Sequence, residues 1–193
     1  MKYNSDLIKV QTASLSRDDA DVSIQIAAVQ DSESVIKFIR NPCFEVQMAA
    51  VEAFASAIRY ISYPHKLVQI AAVRSQSSCI QYIRNPSEEV QIAAIQRNGE
   101  AIRYVRNPSE KIQILAVEKS RYAIGFIDNP STEVQIAAVS FDGRAIQYIK
   151  DSSLEVQLIA ADTISSEFIE FLTFPAAINK LKYRLMVEEV MIA

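Results

Sequence analysis

The sequence predicts an all-α fold built as a stack of seven helical units of 22 residues, because one pattern returns at that spacing from Asp19 to Leu172. The unit at 85–106 reads NPSEEVQIAAIQRNGEAIRYVR, and the units at 107–128 and 129–150 repeat it without insertion or deletion. A fixed period of this length is typical of units that cannot bury an apolar face alone and therefore stack on their neighbours. Half of the 193 residues are apolar and only three are glycine, a composition typical of an ordered chain.

Each unit is expected to contain two helices, A and B, which in the unit at 85–106 cover about 86–96 and about 100–105. Position 1 of the unit is Asn or Asp in six of the seven copies, and position 2 is Pro in five. We therefore expect the position-1 side chain to cap helix A and the proline to open it. Glu88, three residues after its Asn, would complete a capping box. The Asn-Gly pair at 98–99 is predicted to end helix A in the left-handed conformation.

The columns of the repeat indicate which faces are buried. Position 6 is Val or Ile and position 10 is Ala in every copy, and positions 8, 9 and 11 are apolar, so helix A should pack on several sides. Helix B adds apolar residues at positions 18 and 21. Position 7 is Gln in all seven copies. A buried amide without partners costs about 1–3 kcal/mol, so we predict that this column hydrogen-bonds to the backbone of the turns. The alternative is a row of amides that contacts a ligand.

The two ends of the chain depart from the repeat. The first residues echo half a unit but carry polar residues where Ile and Ala normally stand, as expected of an N-terminal cap. The final segment is amphipathic at helical spacing and is predicted to be a C-terminal capping helix. A homodimer contact is the alternative for this helix, because Val190, Met191 and Ile192 form an apolar end. The three predicted segments are 1–18, 19–172 and 173–193.

Composition and charge exclude several classes of protein. No apolar run reaches the length of a membrane span, and the first ten residues lack the apolar core of a signal peptide. Cys43 and Cys79 stand at non-equivalent positions of different units, so both are predicted to be free thiols of a cytoplasmic protein. The net charge of −3 argues mildly against general nucleic-acid binding.

No catalytic, cofactor or metal site is predicted. His65 is the single histidine, it lacks Cys or carboxylate at ligand spacing, and it stands where other copies have Ser, so we interpret it as a helix-cap variant. The recurrent acidic residues lie mainly in first turns, where the helix dipole favours them. The chain is therefore expected not to be an enzyme.

One candidate surface remains, on helix B. Position 20 is aromatic in six copies, and positions 19 and 22 beside it collect seven cations against the single acid Asp128. Such a surface suits a protein partner with an acidic surface, or single-stranded nucleic acid as the less favoured alternative. The structural alternative is that the rings flank the core and the position-22 cations complement the end of a helix. The predicted partner-binding residues are Arg59, Tyr60, Tyr82, Arg84, Arg103, Tyr104, Arg106, Tyr148 and Lys150.

The Asx-Pro start, the Val-Gln pair and the Ala-rich first helix together resemble the HEAT-like and leucine-rich-variant α-solenoids. The chain is similar to uncharacterised NPSEEVQ-type arrays of bacterial, phage and large-virus proteins. The resemblance implies a right-handed superhelical stack used for protein recognition, and, by analogy with small phage proteins, an inhibitor of a host defence complex. The Gln column departs from leucine-rich variants, which tend to carry Arg at that place.

Overall fold

The computed structural model describes residues 21–192, with side chains up to Met191. This range is all-α and contains no β-strand, and its α-helices alternate with short 3-10 helices. The α-helices are α1 Val22–Asp31, α2 Phe44–Ala53, α3 Lys66–Ser75, α4 Glu88–Arg97, α5 Glu110–Val117, α6 Thr132–Phe141, α7 Leu154–Ala160 and α8 Pro175–Ile192. The 3-10 helices are η1 Val35–Phe38, η2 Ala55–Tyr60, η3 Ser77–Tyr82, η4 Gly99–Tyr104, η5 Ala123–Phe126, η6 Gly143–Tyr148 and η7 Ser166–Phe171.

The chain divides into two compact units, with the boundary between Arg97 and Asn98. In the first unit, α1 to α4 contact one another in chain order, and so do η1 to η3. In the second unit, α5 to α8 contact one another in chain order, as do η4 to η7. Within each unit, every helix therefore packs on its counterpart in the next repeat, as the 22-residue period predicts. The predicted N-terminal half-unit, 1–18, lies outside the described residues.

Position 1 does not cap the α-helix, so this prediction is wrong. Asn85 has φ 51° and Asn107 has φ 48°, in the left-handed region. The short polar side chains of Asn and Asp tolerate this region better than other non-glycine residues. Tyr63, the exception to Asn or Asp at position 1, is absent from this region. Position 1 therefore makes the turn after helix B. The positive-φ residues are Asn41, Asn85, Asn107, Asn129 and Asp151.

The α-helices begin at position 4, and position 3 is their N-cap. The Ser131 hydroxyl accepts a hydrogen bond from the Val134 N–H at 3.4 Å. In the copy where His replaces Ser, His65 Nδ1 accepts from the Leu67 N–H at 3.2 Å, which confirms the cap interpretation of this histidine. Because the helix begins two residues later than predicted, Glu88 occupies the first helical position and not the third, as a capping box would need.

The Asn-Gly pair at 98–99 does not end helix A in the left-handed conformation, and its glycine instead allows a close backbone contact. Asn98 is extended, and its Oδ1 accepts a hydrogen bond from the Glu100 N–H at 3.0 Å, so it caps η4. Gly99 does not have positive φ, but an added Cβ would lie 2.4 Å from the carbonyl oxygen of Ala116. The left-handed stop predicted at 98–99 is therefore wrong, and glycine is needed there because the next repeat approaches closely.

Helix B is a 3-10 helix, where a second α-helix was predicted. In η4, the Ala101 N–H donates to the Asn98 carbonyl at 3.0 Å, three residues back, and Val105 donates to Ile102 at 2.9 Å. Six residues are too few to nucleate a stable α-helix, whereas short 3-10 segments are common connectors. Val105 is then extended, and the chain leaves η4 toward the left-handed Asn107.

The predicted apolar columns form the core. The position-10 alanines are at most 1% exposed in the six copies from Ala50 to Ala160, as expected of a helix that packs on several sides. The position-6 residues are fully buried from Val46 to Val156. The isoleucines at position 18 of the 3-10 helices are at most 2% exposed in the six copies that carry them. Within each unit, the α-helices and the 3-10 helices therefore both contribute side chains to the apolar core.

The position-7 glutamines hydrogen-bond to turn backbone, as predicted. In five copies the side-chain nitrogen donates to the carbonyl of the proline at position 2, at 2.9 to 3.1 Å. Gln47 Oε1 also accepts the His65 N–H of the following repeat at 3.0 Å. Gln157 Oε1 accepts the Thr173 N–H at 2.7 Å, in the connection that leads to α8. These amides fix each turn to its own helix and, at Gln47, to the next repeat.

The helix predicted within 173–193 is α8, and it packs on α7. Ala177 and Leu181 are fully buried on the packed side. Lys180 Nζ and the Arg184 guanidinium donate hydrogen bonds to backbone carbonyls at and beyond the C-terminal end of α7. The last carbonyls of a helix lack partners within it, and cations are favoured at that end. The accepting carbonyls are those of Leu158, Ala161 and Ile164.

Candidate partner-binding surface

The predicted surface residues lie on the 3-10 helices and on the turns that follow them. Position 20 is the last residue of the first six 3-10 helices, and its neighbour at position 21 is buried in five of these copies. The ring is consequently only part-buried: Tyr82 is 43% exposed, Tyr104 37% and Tyr148 36%. Tyr60 is half-buried. These rings therefore lie at the boundary between the core and the solvent.

In the first unit, the cations at position 19 lie close to the aromatic rings at position 20. Lys37 Nζ lies 4.6 Å from the ring centre of Phe38 and 6.0 Å from that of Tyr60. The Arg59 guanidinium lies 4.7 Å from the Tyr60 ring and 2.8 Å from the Glu33 carboxylate. Burial acts to lower the pKa of Arg59, but interactions with Tyr60 and Glu33 outweigh it and raise the pKa.

In the second unit, Arg103 is held in the same way. Its guanidinium lies 3.9 Å from the ring centre of Phe126 in the next 3-10 helix, and it donates to the Glu100 carboxylate at 2.8 Å. A cation over an aromatic face contributes about 0.5–1 kcal/mol at exposed sites. The position-19 cations are thus explained by contacts within the protein, which the sequence argument did not foresee for Arg59 and Arg103.

The position-22 cations are different. Arg84, Arg106 and Lys150 are exposed and form no ion pair with any residue between 21 and 191. Each stands two residues after a position-20 aromatic residue, at the turn that precedes position 1. An extended backbone at position 21 means that no long helix dipole ends beside them. These three side chains are the members of the predicted set that are best placed to contact a partner.

A cluster in the second unit was missed by the sequence reasoning. Asp142 binds Arg144 Nη2 at 2.7 Å and Arg121 Nη1 at 3.1 Å, and the Arg121 guanidinium lies 4.6 Å from the Tyr122 ring centre. Tyr122 meets Tyr148 edge to face at 5.6 Å. Hydrogen bonds from Arg144, and then from Arg121, lower the pKa of Asp142 to about 2. The available signal was position 16, which is Ser in four copies but Glu100, Tyr122 and Arg144 in the other three.

We name two surfaces, one in each unit, from the rings at position 20 and the cations at positions 19 and 22. The first ring-and-cation surface consists of Lys37, Phe38, Arg59, Tyr60, Tyr82 and Arg84. The second consists of Arg103, Tyr104, Arg106, Phe126, Tyr148 and Lys150. The assignment of the predicted residues to a binding site stays a prediction.

Other reactive side chains do not form a site in the described part of the chain. Cys43 and Cys79 are free thiols, as predicted, and burial raises the pKa of Cys79 to about 11. Between residues 21 and 191, no three His, Cys, Asp or Glu side chains are grouped so that they could hold a metal ion. None of the helices described here combines the length and the apolar character needed to cross a membrane.

Comparison with known proteins adds no relative. No family model, no curated protein and no solved structure matches the chain, so the likeness to HEAT-like repeat arrays rests on its own NPSEEVQ-type motif.

Proposed function

We propose that the chain is a non-enzymatic protein-binding scaffold that uses its ring-and-cation surfaces against an acidic partner. The observation that supports this most is the combination, at the same turns, of part-exposed rings with cations that pair with no described residue. The finer architecture, a right-handed HEAT-like α-solenoid of seven repeats, belongs to the same proposal. An inhibitory role against a host defence complex rests on the resemblance to phage arrays.

The rings suit a role as binding anchors. Tyr and Arg are enriched among the residues that dominate protein interfaces. Tyr60 and Phe126 already have a guanidinium or ammonium group over the ring, so little side-chain entropy remains to be lost when a partner covers them. Arg84 and Arg106 can form bidentate hydrogen bonds with carboxylates of the partner.

Single-stranded nucleic acid is the second candidate, because exposed rings with adjacent cations also stack on bases. The net charge of −3 favours the protein partner. A salt series separates the two, since phosphate binding weakens log-linearly and steeply as salt increases. Retention on oligo(dT) that falls in this manner, with no protein retained, would replace the protein-binding proposal by the nucleic-acid one.

The test is a comparison of baits in a pull-down from the native host. We expect a protein retained by wild type to be lost with Tyr104→Ala and with Arg106→Glu, and in the first unit with Tyr82→Ala and Arg84→Glu. The matched control is Lys119→Glu, an exposed cation outside both surfaces. Each hot-spot change should weaken the purified complex by about 2 kcal/mol, or roughly 30-fold. A partner that binds all five variants as well as wild type would refute this surface.

A further inference from the structure

The helix α8 carries an apolar stripe on the side opposite its contact with α7. We call this the α8 stripe, and its residues follow one another at spacings of three and four, so they lie on one helix face. Val190 is 72% exposed, Met191 82% and Tyr183 67%. On the opposite side of α8, Ala177 and Leu181 are fully buried. The α8 stripe consists of Tyr183, Met186, Val187, Val190 and Met191.

The stripe has the register of a coiled-coil seam. With Lys182 as heptad position g, Tyr183 and Val190 fall at a and Met186 falls at d. The earlier seam positions, Ala176 and Asn179, are exposed as well, so the seam is open along the whole of α8. A helix can therefore lie along α8 without displacing the contact with α7.

The charges beside the seam are self-complementary when two copies run antiparallel. Lys182 and Glu189 occupy successive g positions, are exposed, and pair with no other residue in the described range. In an antiparallel pair the g flanks face each other, which places Lys182 of each copy beside Glu189 of the other. In a parallel pair the g flank of each copy faces the e flank of the other, so the pairing of Lys182 with Glu189 would be lost.

The helix dipole does not explain this arrangement. A dipole favours acidic residues near the N-terminus of a helix and basic residues near its C-terminus. Along α8 the order is reversed, with Lys182 before Glu189. Lys180 and Arg184 have their own role at α7 carbonyls, whereas Lys182 and Glu189 have no such role among the contacts of α8.

We propose that α8 is the interface of a homodimer, in which the α8 helices of two copies pair antiparallel about a two-fold axis between Tyr183 and Met186. Such an interface is isologous, and a single helix pair closes it. The inference is independent of the proposed binding function, because it uses no residue of either ring-and-cation surface. One helix pair is smaller than a standard interface of about 1,600 Å², so the dimer should dissociate on dilution.

The experiment is sedimentation velocity of the full chain over a concentration series. We expect the mass to rise from 21.6 kDa toward twice that value with concentration. Met186→Glu should raise the dimer dissociation constant at least tenfold, since it places carboxylates next to the axis. Val190→Lys is a second seam variant, and Lys119→Glu is the control that should leave the constant unchanged. Circular dichroism checks that each variant is folded.

A charge swap tests the antiparallel orientation. Lys182→Glu alone and Glu189→Lys alone should each weaken the dimer several-fold, because like charges then face each other. The double variant should return within about threefold of wild type, since the pairs are restored with reversed sign. A chain that stays monomeric at every concentration, or a dimer that both seam variants leave intact, would overturn the proposal. Failure of the double swap to restore the dimer would overturn the antiparallel pairing.

Discussion

The amide of the position-7 glutamine is the polar contact that recurs most regularly in this protein. We expect Gln91→Ala to lower the free energy of unfolding by about 1–3 kcal/mol, because the Pro86 carbonyl loses its side-chain donor in a part-buried turn. Gln96→Ala, an exposed change on the same α4 helix, is the control and should have little effect. Urea denaturation followed by circular dichroism measures both. Equal effects of the two substitutions would contradict the structural role of Gln91.

Gly99 and Gly125 differ in the space available for an added Cβ, so substitution of each by alanine tests the close contact at Gly99. Gly99→Ala should destabilise the protein by about 1–3 kcal/mol, since its Cβ would lie 2.4 Å from the Ala116 carbonyl oxygen, which belongs to backbone and cannot move aside easily. At Gly125 the nearest atom to an added Cβ is 3.7 Å away, an ordinary contact. Gly125→Ala should therefore be neutral or stabilise by about 0.5 kcal/mol, because alanine restricts the unfolded chain. Thermal unfolding of the two variants gives the comparison.

The Asp142 cluster makes stability depend on pH. A carboxyl whose pKa is about 2 in the folded protein, below its usual value of 3.8, contributes stability that is full above the usual value. The contribution is lost as the pH falls from about 4 toward 2. We expect Asp142→Asn to cost about 1 kcal/mol at pH 6, after allowance for solvent screening, and the difference from wild type to vanish near pH 2.

Denaturation of both proteins across this pH range checks the prediction. Asp128→Asn, a substitution at an exposed aspartate without an ion pair in the described range, is the control. A constant difference between wild type and Asp142→Asn from pH 6 to pH 2 would show that the carboxylate charge is not what stabilises the cluster.

The turn between repeats is the element whose conformation is least evident from its residues. Asn followed by Pro is common both at helix starts and at left-handed turns, and the two uses cannot be separated from the dipeptide alone. The one copy without Asn or Asp at position 1 distinguishes the two uses. Tyr63 stands there, and its φ is not positive. The periodicity, by contrast, specified the core columns correctly, because burial at a fixed period depends only on which residues face neighbouring repeats.

Asn85 tests the left-handed turn. Asn85→Val should destabilise by about 1–2 kcal/mol, because a β-branched residue is strained at φ 51°. Asn85→Gly should stay within about 0.5 kcal/mol of wild type, since glycine enters this region freely. Tyr63→Val, at the same position of the repeat but without positive φ, should also change little. The urea midpoints of unfolding rank the three variants by stability. If Asn85→Gly were as harmful as Asn85→Val, the side chain and not the backbone would determine the choice of Asn.

For helix B, the sequence predicted the position in the unit but not the helix type, α or 3-10. The apolar residues at positions 18 and 21 indicated a short helix that ends before the next Asx, which is correct. Over a single turn, however, the spacings of an α-helix and a 3-10 helix differ by less than one residue, so two apolar residues three positions apart fit both. The contacts of the candidate surface could not be predicted from the sequence either. The contact between the Arg103 guanidinium and the Phe126 ring, for example, depends on how neighbouring repeats are placed.

For the whole molecule, the repeated contacts predict that one repeat can be removed. Gly99 packs on the carbonyl of Ala116, and Gly143 lies close to that of Ala160, the equivalent position-10 residue one repeat on. Deletion of 107–128 would join Arg106 to Asn129, which has the same left-handed φ as Asn107. We expect a shorter, helical, soluble protein with a lower but cooperative melting transition. Circular dichroism and sedimentation measure this. An unfolded or insoluble product would contradict modular stacking.

The left-handed turns also have a consequence for chemical ageing. Asparagine deamidates when the backbone nitrogen of the next residue attacks its side-chain carbonyl carbon. Asn41, Asn85, Asn107 and Asn129 each precede a proline, whose nitrogen carries no hydrogen and cannot act in this way. Asn98 precedes Gly99, the least hindered neighbour, and its side-chain oxygen accepts a hydrogen bond from the Glu100 N–H. Storage should therefore convert Asn98 to aspartate or isoaspartate, while the four turn asparagines keep their amides.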